Sequence, residues 1–410
     1  MTKRVAPFPR LLDLTRLSSR VGRGPHTGVD RVELTYLKTL LGRDGPIYGL
    51  VHIGPDYVVL GRSGLNAFLE RIEERVQWGA PSITSHLHRR ASYQRRSVIS
   101  DLRRLALHRC FARGLPKCLR KLGANLSYLN VGHSNLRKNA FDAVHSVTGG
   151  RATVLVHDVI PLDHPEFQRA GTVKAFEVRM RVVGCYADHV IYNSLYSQQR
   201  AEFYFSQWGR VPDGTVAHLG VETVSATPNV SRKKPYFVTI GTIEPRKNHA
   251  LLLQVWQNMY ESMTEADIPH LYMVGNRGWN NEAVFAELDN AAYVGCVVHE
   301  LSGLPDTEMF NLLAGAEALL FPSLVEGFGL PLLEAAQLEV PILCMDLDVY
   351  REFLGNVPIY LKQNDPYAWE AEIKNFMSNR DDEVRLGMHG NRSFQMPTWD
   401  DHFNLVLKVV

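Results

Sequence analysis

The sequence predicts a parallel α/β protein built as two domains, and three observations carry that prediction. Apolar runs of strand length alternate with segments of helical periodicity over most of the chain, the pattern of parallel sheets covered by helices. The 410 residues are long for a single core and suit two. A polar, proline-containing stretch, Ser225 to Lys234, ends in Arg232-Lys233-Lys234 and reads as the linker between residues 1–224 and residues 235–390.

In the first half, Leu11 to Thr15 reads as a short strand. It is followed by the glycine-containing loop Val21 to Gly28 and by a helix with Val32, Tyr36, Leu37 and Leu40 on one face. Such a loop either presents amides to phosphate or acceptor, with Thr27 and Gly28 facing a cleft, or is an ordinary connection. The run Ala152 to Val156 is a second strand, ending in His157-Asp158 at the tip where open α/β sheets place ligand groups. A lone histidine after a strand is otherwise a structural residue. Ala187 to Tyr192 is a further strand, closed by the polar turn Asn193-Ser194 with Tyr196-Ser197.

In the second half, Tyr236 to Gly241 is a strand with a continuous apolar core, followed by Thr242-Ile243-Glu244-Pro245-Arg246-Lys247-Asn248-His249 and a helix from Leu251 to Met259. Arg246 and Lys247 in that loop are either solvated charges or a cation pair for diphosphate, one planar fork beside one mobile point charge. The run Val297 to Asp306 precedes a helix from Thr307 to Leu313. Ala318 to Phe321 is a strand that stops at Pro322-Ser323-Leu324-Val325-Glu326-Gly327-Phe328-Gly329-Leu330, and a helix then opens with Pro331 in its first turn. The amides of Gly327, Phe328, Gly329 and Leu330 are then free at a positive helix end, a seat for phosphate or sugar oxygens. Glu326 and Glu334 bracket that seat. Eight helical residues span about 12 Å, more than the roughly 5 to 9.5 Å between the carboxyls of a hydrolase pair. Two parts of one long ligand suit them better.

This segment resembles the Glu-x7-Glu motif of retaining glycosyltransferases of family 4, and the resemblance is dense from Pro235 to about Asn379. It implies the GT-B fold, two Rossmann-like domains facing a central cleft, with the last helix, Asp400 to Val409 within residues 391–410, crossing back to the first domain. It also implies a nucleotide diphosphate-sugar donor. Glu334 would accept from the ribose hydroxyls, Glu326 would sit by the donor sugar, and the Gly327–Leu330 amides would hold sugar and diphosphate. Arg246 and Lys247, after Gly241, would contact the leaving diphosphate. Ser302 and Leu304 would lie near the base through backbone atoms, although Ser302 departs from the apolar or aromatic residue common there. His157 and Asp158 would face donor sugar and acceptor. The acceptor implied is a glycan or lipid-linked oligosaccharide of bacterial surface polysaccharide assembly. Similarity to mannosyl- and rhamnosyltransferases makes GDP-mannose the first donor to test. A GT-B nucleotide-sugar epimerase and a non-catalytic GT-B partner of a synthase are the alternatives.

No metal or cofactor is expected, since the resemblance implies metal-independent catalysis. Asp346-Leu347-Asp348 is a DxD string, read as a metal–diphosphate device or, with better fit, as Asp348 capping a helix that begins at Val349. His157, Asp158, Asp163 and His164 match no zinc spacing well.

The composition, 45% hydrophobic and 21% charged, is that of an ordinary globular protein. No apolar run reaches the about 18 residues of a membrane span, and Met1 to Arg10 lacks the apolar core of a secretory signal. Five scattered cysteines form no disulfide framework and read as reduced, mostly buried thiols, which places the chain in the cytoplasm. Charge is uneven: residues 1–125 hold 23 Lys or Arg against 9 Asp or Glu, whereas the whole chain has a net charge of +2. The run from His86 to Lys121 is densest, with Leu102, Leu105, Ala106, Cys110 and Phe111 at helical spacing among the cations. A basic amphipathic helix of this kind suits an anionic membrane surface on the inner face of the plasma membrane, against a plain solvated helix. Nucleic acid is not expected, because no binding motif accompanies the charge.

Overall fold

The alternating strand and helix signals resolve into two sheets, one after the other along the chain. A computed structural model describes residues 8–82, 91–222, 226–227, 234–362, 364–378 and 395–410. The expected linker 225–234 therefore lies mostly outside the described residues, as do His86, Arg89 and Arg90 of the basic run.

The first sheet contains β1 (Arg10–Asp13), β2 (Ile47–Ile53), β3 (Asp56–Leu60), β4 (Ala106–Phe111), β5 (Ser127–Asn130), β6 (Arg151–Val156), β7 (His189–Tyr192) and β8 (Asp213–Val216). Their spatial order is β4-β3-β2-β1-β5-β6-β7-β8. The second contains β9 (Tyr236–Ile240), β10 (His270–Val274), β11 (Val298–Leu301), β12 (Ala318–Phe321), β13 (Ile342–Met345) and β14 (Ile359–Leu361), in the order β11-β10-β9-β12-β13-β14. Every pairing in the second sheet is parallel. The first is parallel from β2 to β8, but β3 and β4 turn back antiparallel at one edge. Both faces of the central strands are covered, as in sheets with helices on either side. On β1, Leu11 enters one core cluster and Leu12 the other; on β9, Phe237 lies opposite Tyr236 and Val238.

In both sheets the chain reverses direction of growth beside a central strand, next to β1 in the first and β9 in the second. The loops leaving the carboxyl ends of the two strands at such a point diverge and open a crevice. In the second domain these are the loops after β9 and β12, which carry Arg246-Lys247 and Glu326 respectively.

The basic run is not one helix. Tyr93–Arg104 is helical, and the chain then becomes edge strand β4, paired antiparallel with β3. Period-2 alternation replaces the expected helical stripe: Leu107, Arg109 and Phe111 point outward, while Ala106, His108 and Cys110 are half-buried. Ladder pairing with β3 overrides the local pattern. Several of the arginines are also spent inside the domain. Arg95 donates to the Ser18 carbonyl at 2.5 Å, Arg103 pairs with Asp56 at 2.7 Å and Arg104 with Asp101 at 2.7 Å. The cysteines are not mostly buried: Cys118 and Cys344 are buried, Cys110 is half-buried, and Cys185 and Cys296 are exposed.

The final helix, Trp399–Val409, lies against the first domain. His402 Nε2 sits 2.6 Å from the Tyr36 hydroxyl, and its Nδ1 lies 3.1 Å from the Ala217 carbonyl. Among the described residues no helix is long and apolar enough to cross a membrane.

Candidate active site in the interdomain cleft

The segment after β12 turns at Gly329, whose φ of 114° favours glycine, and the helix Leu330–Gln337 begins with proline in its first turn. This arrangement delivers Glu326 to the crevice. Both of its oxygens are engaged: Lys247 Nζ bonds Oε1, and Arg246 Nη1 lies 2.7 Å from Oε2. Arg246 reaches Glu244 with its Nε at 2.6 Å, and the Lys247 ammonium lies 4.5 Å from the centre of the Phe321 ring. Burial alone would raise the Glu326 pKa, but Arg246 and Lys247 outweigh it and hold it at about 2. The carboxylate is therefore ionised throughout the physiological range. The loop after β9 is tied to the loop after β12 by Leu324 N–H to the Arg246 carbonyl at 2.8 Å. Gly275 packs so closely that a Cβ there would meet the Gly241 carbonyl oxygen at 1.9 Å.

The first domain closes on this cluster from β6 and β7. An added Cβ on Gly327 would lie 2.3 Å from the His157 carbonyl oxygen, so only glycine allows this approach. Ser194 and Ser197 donate to the Gly327 carbonyl at 2.9 and 3.1 Å, and Ser197 also lies 3.0 Å from the His157 carbonyl. The His157 ring is 6% exposed, and its Nε2–H donates to the Val131 carbonyl at 2.7 Å. Burial pushes its pKa down to about 4, leaving a neutral ring whose Nδ1 keeps its lone pair. Burial raises Asp158, against the pull of Arg246. Farther along the cleft, Trp279 Nε1 donates to the Phe167 carbonyl at 2.8 Å, and His218 and the Leu195 amide both reach Glu352 at 2.6 Å.

Gly28 is exposed, and a Cβ there would stand 3.4 Å from the Leu330 side chain, so this glycine faces across the cleft. Thr27 contributes less to the cleft than expected. It caps the helix Gly28–Leu41 in a reciprocal box with Asp30, and its hydroxyl also accepts from Arg16 at 3.1 Å. Capping the first turn claims the oxygen. Ser302 is exposed and Leu304 half-buried on the loop after β11, apart from the Glu326 cluster.

Glu334 is buried, but its partner was not anticipated: Arg31 of the first domain, Nη1 to Oε1 at 2.5 Å. Only its place in the helix behind the glycine-rich loop could have singled out Arg31 in the sequence. Glu244, Glu352 and His218 carried no sequence signal, since each acts through a contact formed only on folding.

A cavity of about 250 Å³ adjoins Glu326 between the domains, with His164 and Tyr196 on one side and Asp346 and Asp348 on the other. Asp348 does not cap a following helix. It is the first residue of Asp348–Leu354, which starts one position earlier than expected, and Leu347 holds the cap position without a side-chain bond. Asp346 is 2.5 Å from Arg351. Among the described residues no group of His, Cys, Asp and Glu is arranged to hold a metal ion.

Residues 221–392 match the family model described as glycosyl transferases group 1. A serotype-specific mannosyltransferase, WbdA of Escherichia coli, is 26% identical over 278 residues, covering 63% of this chain and 33% of that protein. An O-antigen chain mannosyltransferase B of Escherichia coli is 35% identical over 150 residues, covering 37% and 38%. The chain thus spans well under half the length of these relatives. Among solved structures, Anabaena HepE in complex with UDP-glucose aligns with a TM-score of 0.65 at 13% identity, over 98% of this chain and 100% of that one. The shared architecture is GT-B.

Proposed function

We propose that this chain, which carries a glycosyl transferases group 1 domain on a GT-B frame, transfers a sugar from a nucleotide diphosphate-sugar to a glycan acceptor. One observation carries the reading. At the switch point of the second sheet, Glu326 is held by Arg246 and Lys247 beside the amides of Gly327 to Leu330, which have no protein partner among the described residues. Two cations set beside free amides match a diphosphate whose charge grows as it leaves. Both oxygens of Glu326 are occupied by cations, which disfavours its use as a glycosyl nucleophile. A front-face, retaining displacement fits better, with the departing phosphate oxygen taking the acceptor proton. Glu326 then orients Arg246 and Lys247. The bare Nδ1 of His157 accepts from a sugar hydroxyl, and closure of the domains excludes water. The cations neutralise the leaving group, so no metal is required.

The relatives named above are mannosyltransferases of serotype and O-antigen chains, and HepE was solved with UDP-glucose. They support a hexosyl donor, mannosyl first, and a growing surface polysaccharide as acceptor. Screening GDP-, UDP- and dTDP-sugars in a melting assay tests this. The true donor at 100 times its dissociation constant adds about 2.7 kcal/mol of stability. Transfer should persist in excess EDTA, and Lys247→Ala should lower turnover about 100-fold or more, as loss of a transition-state contact does. No stabilisation by any nucleotide sugar would overturn the donor reading, and activity restored only by a divalent ion would overturn the metal-free one.

Docking on an anionic membrane surface is also proposed, through the edge of the first sheet. Phe111 and Leu107 are exposed there, with Arg113, Lys117 and Arg120 beside them on the following segment.

A further inference from the structure

Glu334, assigned above to the donor ribose, is already occupied. Arg31 projects from the helix Gly28–Leu41 of the first domain, and its Nη1 lies 2.5 Å from Glu334 Oε1, with the Glu334 side chain 3% exposed. The same guanidinium lies 5.6 Å from the centre of the Phe310 ring. Burial works against the charge on Arg31, but Glu334, Asp306 and Glu222 more than compensate and favour it. Arg31 is therefore held in an acidic gap formed largely by the second domain.

A vicinal diol binds best to both oxygens of one carboxylate. With a guanidinium on Oε1, the diol has to compete with Arg31 for that oxygen. We propose that Arg31 is an interdomain latch at the donor site, which the nucleotide's ribose competes with for Glu334. The inference rests on the donor-site reading above. Because Arg31 belongs to one domain and Glu334 to the other, displacement also removes one of the contacts that hold the domains together. Donor capture is thereby coupled to the arrangement of the cleft. The stability that this ion pair contributes opposes a ligand that breaks it.

The test is calorimetric binding of UDP and GDP, and of their 2′-deoxy counterparts, to the parent and to Arg31→Ala. Measurement at pH 8 keeps the freed carboxyl ionised. The latch predicts that Arg31→Ala binds its ribonucleotide about tenfold tighter, within the usual range of coupling between linked sites. It also predicts a wider preference for ribo- over 2′-deoxynucleotide, because the released carboxylate then reads the diol fully. A structural role for Arg31 does not move that ratio. Arg31→Lys, which keeps a charge without the planar fork, should fall between the two and serves if the alanine variant does not fold. Unchanged or weaker nucleotide binding by the substituted protein, in a parent that does bind, overturns the latch alone. A parent that binds neither nucleotide overturns the donor-site reading on which it stands.

Discussion

At Gly327 the backbone of the second domain packs directly against that of the first, and the role of this glycine follows from volume alone. A methyl group there would stand 2.3 Å from the His157 carbonyl oxygen and 2.7 Å from the Asp158 Cβ. The first of these is a backbone atom directly after β6, so it cannot yield as the far end of a flexible side chain would. Gly327→Ala should therefore hold the cleft ajar while leaving each domain folded. Misplacing the catalytic groups by about 1 Å costs on the order of 100-fold in rate, whereas the unfolding temperature should shift little. A fully active Gly327→Ala protein would show that the closed arrangement is not the one that reacts. The same scale explains why Arg246 and Lys247 cannot be exchanged freely. Arg246 bridges Glu326 and Glu244 with two different nitrogens, a geometry one ammonium cannot reproduce.

At the scale of elements, the terminal helix Trp399–Val409 is fixed by an uncharged histidine. Burial first, with His218 adding repulsion, pushes His402 down to about 4, against the favourable pull of the Ala217 and His218 carbonyls. An unfolded histidine titrates near 6.5. The folded helix thus binds fewer protons than the detached one between these values, and docking weakens as the pH falls. Stability is complete above about pH 7, declines through 6.5, and has lost up to about 3 kcal/mol below 4. Hydrogen exchange should show protection of Trp399–Val409 falling between pH 7.5 and 4.5, with a flat profile in His402→Gln. Equal protection of the parent at both pH values would contradict the assignment of a neutral His402. The basic run illustrates the opposite relation between element and expectation. Its period read as helical because Leu102 and Leu105 are spaced that way, but β3 recruits residues 106–111 into the sheet.

For the whole molecule, the membrane docking proposed above rests on where cations and apolar side chains are exposed together. Strand β4 is the outer strand of the first sheet, at the opposite edge from β8. Phe111 is 67% exposed and Leu107 50% exposed on it. Arg113, Lys117 and Arg120 follow at the surface, unlike Arg95 and Arg103, whose partners lie inside the domain. Vesicles containing anionic lipid should bind the protein, and neutral vesicles should not. Binding should weaken as salt shortens the screening length from about 10 Å at 0.1 M to about 3 Å at 1 M. Replacing Arg113, Lys117 and Arg120 by Glu should abolish this binding while sparing transfer to a soluble acceptor. Reversing Arg95 or Arg103 instead would leave buried carbonyl and carboxylate partners opposed, and should lower stability first. Vesicle binding that survives the triple reversal would remove this edge from consideration.

The α/β architecture was legible in the residues alone, because burial on both faces of parallel strands writes continuous apolar runs that need no partner to be read. The residues also determined the loop–helix setting of Glu326 and Glu334 for a related reason: Gly329, Pro331 and the apolar run before them dictate a local turn. The proximity of Arg246 and Lys247 to Glu326 was legible only through resemblance, since about 80 residues separate them. Strand order decided it, by setting β9 beside β12. The antiparallel edge of the first sheet, the pairing of Arg31 with Glu334 and the burial of His402 were decided by tertiary structure alone. Each depends on two segments distant in sequence, and neither segment records its partner. A single residue's spacing reports which face it occupies, but the group it meets there is fixed only when the other segment arrives.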